Sequence, residues 1–213
     1  MNPPDPETER IRRIYDRRAA TSARPRGDAN LRWLCGQAEG ETLEIGIGRG
    51  RSLPFYPSDV RLTGIELSSV ALEAAERRAR ELGVRAVLQQ GDAGAALPDP
   101  DGHFDSVVFC FVLCTIPDYG RAISEAVRVL RPGGKLLLLE HVRSPNRAIR
   151  AIERLLEPLT LRWEGDHLLR EPRDRVLAEG MEIELLERSW FGVLERLVAR
   201  KPYLDGAGLG MPL

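Results

Sequence analysis

Leu43-Glu-Ile-Gly-Ile-Gly-Arg-Gly50, with Ile65-Glu66 downstream, is the stretch on which the fold of this chain turns. Residues 42–46 read as a β-strand running into glycines, and residues 60–66 as a second strand ending in an acid. Only glycine lets a backbone pass close to a ligand, so Gly46, Gly48 and Gly50 mark a tight turn at the carboxyl end of the first strand. A short helix is expected to start near Gly50. Ser69 is expected to cap the next helix, which turns Val70, Ala74, Ala75, Ala79 and Leu82 inward and stops at Gly83. Strands follow at 86–90 and 106–110. Asp118 then caps a helix carrying Ala122, Ile123, Ala126 and Leu130, which Pro132-Gly133-Gly134 closes before the apolar strand 135–140.

Regular alternation of helices with nearly continuous apolar strands implies an α/β fold: one doubly wound, mainly parallel sheet covered on both faces. Beyond His141 the pattern changes to a helix at 146–162, a helix at 173–180 and two strands at 181–188 and 192–200, which read as a terminal antiparallel hairpin. Ahead of the sheet, a helix at 7–19 places Ile11, Ile14, Tyr15 and Ala19 on one face, and a second helix spans about 30–37. The expected organisation is therefore cover helices at 1–38 and a core domain at 39–202 with a helical substrate-side insertion at 143–180. A flexible Gly-rich tail at 203–213 completes it.

At 213 residues and 43% hydrophobic composition, one domain with one sizeable core is the expectation. Lysine plus arginine (31) balances aspartate plus glutamate (32), which excludes a global basic excess of the kind that wraps nucleic acid. Three cysteines, Cys35, Cys110 and Cys114, make neither a disulfide framework nor a zinc pattern and suit a reducing, cytoplasmic setting. No signal peptide and no membrane span are expected.

In an open parallel sheet a ligand sits beyond the carboxyl ends of the strands, where the strand order reverses. Glu66 is placed there to accept hydrogen bonds from two vicinal ribose hydroxyls. The dinucleotide fingerprint is G-x-G-x-x-G, whereas this chain has G-x-G-x-G with Glu44 two residues ahead. That favours a donor without phosphate and with a positive centre, S-adenosylmethionine, over a nicotinamide cofactor. A Rossmann-fold NAD(P)-dependent oxidoreductase and a non-catalytic donor-binding regulator remain the alternatives.

Leu43-Glu-Ile-Gly-Ile-Gly-Arg-Gly50, Thr63-Gly-Ile-Glu66-Leu-Ser, Gly91-Asp92-Ala93 and Leu130-Arg-Pro-Gly-Gly134 together resemble the ordered motifs of class I S-adenosylmethionine-dependent methyltransferases (type 11, UbiE-like). The resemblance implies a seven-stranded Rossmann-like sheet of order 3-2-1-4-5-7-6, and S-adenosylhomocysteine as product. It also implies that Gly46, Gly48 and Gly50 line the donor, Glu66 holds the ribose, and Asp92 bonds the adenine amino group. Leu67 and Ala93 would flank the adenine, Cys110 would line the methionine end, and Glu44 would supply negative charge nearby. Ser52-Leu-Pro-Phe-Tyr-Pro57, Leu139-Glu-His141-Val and Gly165-Asp-His167-Leu-Leu-Arg170 are similar to a thiol S-methyltransferase branch, from which this chain departs at Asp166.

Methyl transfer is an in-line displacement, so a strong base is optional. His141, at a strand's carboxyl end, is the first candidate to accept a proton from the acceptor. His167 is the second, and Tyr15 is placed to close over the donor. No metal is expected. The acceptor class is a small or lipid-like molecule presenting a thiol, amine, hydroxyl or activated carbon. Arg143, Arg147, Arg150 and Arg154 form one stripe opposite Ile149, Ile152 and Leu156. That stripe reads as a solvated face, or as a transient contact with an anionic membrane surface.

Overall fold

The computed structural model describes residues 5–21 and 28–203. The Gly-rich tail beyond Tyr203 and the burial of Ala19 lie outside the described residues. Seven strands form one sheet in the order β3-β2-β1-β4-β5-β7-β6. They are β1 (Glu41–Ile45), β2 (Arg61–Glu66), β3 (Ala86–Gln90), β4 (Phe104–Cys110), β5 (Leu130–His141), β6 (Glu182–Ser189) and β7 (Leu194–Arg200). The first five are parallel; β7 runs antiparallel between β5 and β6. The chain reverses direction across the sheet at β1 and β4, and this is where a parallel α/β sheet opens a crevice at its carboxyl edge.

Six helices accompany the sheet: α1 (Pro6–Thr21), α2 (Asp28–Cys35), α3 (Ser69–Leu82), α4 (Tyr119–Val129), α5 (Arg147–Trp163) and α6 (Pro172–Ala178). One face of the sheet is covered by α4 and α6 through Ala122, Ile123, Ala126 and Val176. Leu34 of α2 and Ala79 of α3 cover the other. Strands β4 and β5 are buried on both sides, which is why they read as unbroken apolar runs. Among the described residues, no helix is long and apolar enough to cross a membrane.

Four local expectations are corrected. The helix expected near Gly50 is a single 3-10 turn, Leu53–Phe55. Left-handed φ angles at Gly46, Gly48 and Gly50, then Pro54 and Pro57 without N–H donors, leave no room for an α-helical ladder. The cap of α3 is Ser68, not Ser69: its hydroxyl accepts from the Ala71 N–H at 3.1 Å. The face turned inward is Ala71, Leu72, Ala75 and Ala79, with Val70 and Leu82 exposed. Leu130, expected on the helix capped by Asp118, is instead the first residue of β5.

The cap of α4 lies where the sequence places it, with Asp118 Oδ1 accepting from the Arg121 N–H at 2.9 Å. Asp118→Ala is expected to cost about 1 kcal/mol, lowering the melting temperature by roughly 2–4 °C for a chain of this size, as read by thermal denaturation.

Candidate active site

A cleft of about 590 Å³ opens at the carboxyl ends of β1, β2 and β4. Its floor is the glycine turn, its far wall Glu66 and the loop Gly91–Ala93, its near wall Phe111 and Val112; Ile11 and Tyr15 of α1 roof it. The turn is held shut from behind. The N–H groups of Gly46 and Ile47 both donate to the Ile65 carbonyl, at 2.8 and 3.1 Å.

Each glycine has a separate reason. A Cβ on Gly46 would lie 2.3 Å from Val112 Cγ2, and one on Gly50 would lie 2.5 Å from Leu53 Cδ1 and 3.3 Å from Ala75 Cα. Those two glycines let the turn pack against β4's extension and α3. A Cβ on Gly48 would meet only the Gly46 carbonyl at 4.0 Å, so at Gly48 the open side is the cleft itself.

Glu66 is 5% exposed. Its Oε2 accepts from the Gly48 N–H and its Oε1 from the Ser68 N–H, both at 2.9 Å. Burial raises its pKa, and these backbone donors oppose the rise. Each carboxylate oxygen has a second lone pair, so both retain acceptor capacity toward the cleft. Asp92 closes an Asx turn onto the Gly94 N–H at 2.8 Å, which spends one of its oxygens and orients the other.

Of the residues singled out from sequence, Gly46, Gly48, Glu66, Leu67, Asp92, Ala93 and Tyr15 line the cleft. Glu44, Gly50, Cys110, His141 and His167 do not. Strand periodicity explains two of these: Glu44 pairs with Val108, and Cys110, two residues on, points the same way, away from Val107 and Phe109. Glu44 is buried under the turn, where its Oε2 accepts from Ser52 Oγ at 2.6 Å and the Tyr56 hydroxyl at 3.0 Å. Burial pushes it up to about 7 despite both donors. The cleft wall uses Phe111 and Val112 in place of Cys110.

His141 stands one layer behind the wall, its ring 4.8 Å from that of Phe111 and tilted 43°. His167 is docked by its backbone, the N–H donating to the Cys114 carbonyl at 2.9 Å. Burial lowers both pKa values, so both rings are neutral near pH 7. Tyr15 is held un-ionised by burial first, with Cys114 and Asp166 adding to it.

Three charged residues prominent in the structure were not selected from sequence. Glu140 Oε1 accepts from the Val112 and Leu113 N–H groups at 2.9 and 3.1 Å, which fixes the wall after Phe111. Its Oε2 is enclosed with no hydrogen-bond partner, and burial pushes the acid up to about 8. Asp166 Oδ1 is likewise enclosed and unpartnered, its pKa raised by burial to about 6. Arg170 donates to the carbonyls of Leu113, Ile116 (2.6 Å) and Pro117 (3.1 Å) and lies 4.7 Å over the Tyr119 ring. An acid ending the apolar run 136–139 was the available signal for Glu140. Phe111 left none: its φ of 52° is a left-handed conformation for a residue type that rarely adopts it.

With β7 inserted antiparallel between β5 and β6, this strand order differs from the 3-2-1-4-5-6 order of the dinucleotide-binding fold. The methyltransferase domain family matches residues 43–138. A phosphatidylethanolamine N-methyltransferase of Cereibacter sphaeroides is 35% identical over 154 residues, covering 70% of this chain and 73% of that protein. A thiol S-methyltransferase of Rattus norvegicus is 32% identical over 152 residues, covering 67% of this chain and 61% of the relative. In structure, a geranyl diphosphate C-methyltransferase of Streptomyces coelicolor A3(2), solved with S-adenosyl-L-homocysteine, matches with a TM-score of 0.73 at 14% identity, over 95% of this chain and 100% of that one. At that identity the likeness speaks to fold alone. The chain belongs to the class I S-adenosylmethionine-dependent methyltransferases.

Two substitutions separate architecture from binding. Gly46→Ala is expected to destabilise the fold by about 2–3 kcal/mol, through strain and collision with Val112. Gly48→Ala is expected to cost about 1 kcal/mol of stability while weakening donor binding at least ~10-fold, as calorimetry and thermal melts on both variants will show.

Glu44 and Glu140 also set a pH dependence. Their folded pKa values lie above the ordinary 4.5, so the folded state holds more protons than the unfolded one between about 4.5 and about 8. Stability is full below that window and falls as pH rises through it. Glu140→Gln, an isostere of the protonated acid, is expected to flatten the melting temperature between pH 5 and 8 by roughly 4–8 °C. An unchanged slope rejects the assignment.

Proposed function

We propose that the chain methylates an apolar or lipid-like acceptor, with the donor's ribose on Glu66, its adenine between Leu67 and Ala93 with the amino group at Asp92, and its methionine portion along the turn from Gly46 to Gly48. The observation that carries this reading is Glu66: a buried carboxylate whose two oxygens are spaced by backbone donors and still face the cleft. The open side of Gly48 faces the cleft, which leaves room there for the donor's backbone-close portion. When bound, S-adenosylmethionine supplies a methyl group already activated by positive sulfur.

The chain's own residues then have to align the acceptor and keep water out. Phe111, Val112, Ile116 and Pro117 form an apolar wall, and no lysine or arginine lines the cleft among the described residues. That lining suits an uncharged or greasy acceptor and offers no grip for a phosphate. Glu44, outside the cleft but behind its turn, supports a positively charged donor through its field as it ionises near pH 7. Tyr15 closes the roof. His141 and His167, being neutral and set back from the cleft, take a proton only from an acceptor reaching past Phe111 or Cys114.

Glu66→Ala is expected to weaken donor binding by a factor of ~10 or more by calorimetry, since a hydrogen bond to a charged group contributes about 1.5–3 kcal/mol. Unchanged affinity would reject the ribose placement. For the acceptor, a labelled-methyl screen over thiols, amino lipids, quinone precursors and phenols is the test. A thiol acceptor predicts a rate that rises with pH through the thiol's ionisation.

A further inference from the structure

Helix α5 is mounted the wrong way round for a soluble protein. Its one buried residue is Glu153, which accepts from the Ser144 N–H at 3.2 and 3.1 Å; Glu157 accepts from the Leu169 N–H at 3.3 Å and Thr160 donates to the Asp166 carbonyl at 2.8 Å. These three polar residues, at i, i+4 and i+7, form the face that meets the body. The apolar residues Ile152, Leu155, Leu156, Leu159 and Trp163 form a second stripe, and all are exposed, Leu155 by 76% and Trp163 by 67%. Arg147, Arg150 and Arg154 make a third stripe. Among the described residues, none of them takes part in an ion pair, nor does Arg162.

A second observation lies at the amino end of the same helix. The turn between β6 and β7 holds Trp190 and Phe191 at φ of 50° and 59°, a left-handed conformation that costs an aromatic residue about 1 kcal/mol or more. Both rings are nonetheless exposed, Phe191 by 82%. The turn is fixed beside α5: Ser144 Oγ donates to the Phe191 carbonyl at 2.7 Å, and a Cβ on Gly192 would lie 2.4 Å from Pro145 Cδ.

We propose that the outward apolar face of α5, extended by the aromatic turn at its amino end, docks the protein on an anionic lipid bilayer. A helix with an exposed leucine and tryptophan face, bordered beside Leu155 by Arg162 and then Arg147, neither in an ion pair among the described residues, has the composition of one that lies in the plane of a membrane interface. The leucines enter the acyl boundary and the arginines meet anionic head groups. A second copy of the chain is the poorer occupant, because it would bring another set of unpaired arginines to the same seam. The carboxyl end of α5 touches the cleft's roof, since the Arg10 guanidinium of α1 donates to the Leu161 carbonyl, so a bilayer against α5 lies beside the cleft. Docking does not depend on which acceptor is methylated, so it stands or falls separately from the function proposed above.

The test is co-sedimentation of the full chain with vesicles of phosphatidylcholine containing phosphatidylglycerol, against phosphatidylcholine alone. The expected result is binding that prefers the anionic vesicles and weakens with salt. Leu155→Glu with Leu159→Glu is expected to lower the bound fraction about tenfold, and Arg147→Glu with Arg154→Glu to abolish the anionic preference. Donor affinity and circular dichroism should match the parent in both. Phe191→Ser is a second route to the same loss if the helix variants do not fold. Absence of vesicle binding by the parent, or equal binding by the variants, overturns the proposal. So does a dimer by analytical ultracentrifugation that the leucine substitutions dissolve in a chain indifferent to vesicles.

Discussion

A carboxylate removed from water must find donors, and Glu66 finds them in the two places that matter to the cleft. One oxygen holds the amide of Gly48 in the turn after β1 and the other holds the amide of Ser68 at the head of α3. Two segments that the sheet alone leaves unconnected at its carboxyl edge are thereby set at a fixed separation. Ser68 carries the constraint further, because its hydroxyl accepts from Ala71 and donates to Asp16 of α1 at 2.5 Å. The position of the roof over the cleft is therefore referred back to the acid on its wall. Burial raises the cost of the charge and the amides offset it, which leaves Glu66 an acceptor with capacity to spare.

The two faces of the sheet are used differently. On the side of α4 and α6 the packing is apolar throughout, from Phe104 and Phe109 to Ile123 and Val176. On the side of α2 and α3 the apolar layer is interrupted near the turn by a polar group, with Glu44 and Ser52 buried and Tyr56 and Cys110 partly so. Their burial keeps the Cys110 thiol and the Tyr56 hydroxyl un-ionised. Cys110 is thus lining for a buried polar layer beneath the site, not a nucleophile in it.

Much of this was legible in the chain. Sequence pattern located all seven strands: β4 and β5, buried on both faces, leave a continuous apolar signal, and the others are bounded by turns that need special residues. Glu66 was legible as a strand-end acid in register with the glycine turn, and the cleft forms against it. Side-chain direction at the cleft was harder: Cys110 and Phe111 differ by one position, and a left-handed residue after β4 reverses what alternation predicts. Histidines drew attention by their solution pKa, whereas Glu140 acquires its near-neutral pKa only through burial that no local pattern reveals. The mounting of α5 was not legible at all: only the tertiary bonds of Glu153, Glu157 and Thr160 show which side faces the body.

The clamp around residues 113–117 has a mechanical consequence. The loop leaving α5 is tied to that segment by the His167 amide and by the Arg170 guanidinium, which together engage the carbonyls of Leu113, Cys114, Ile116 and Pro117. Ile116 and Pro117 are also the cleft wall. Through that one loop, four hydrogen bonds join the segment that follows α5 to the wall of the cleft.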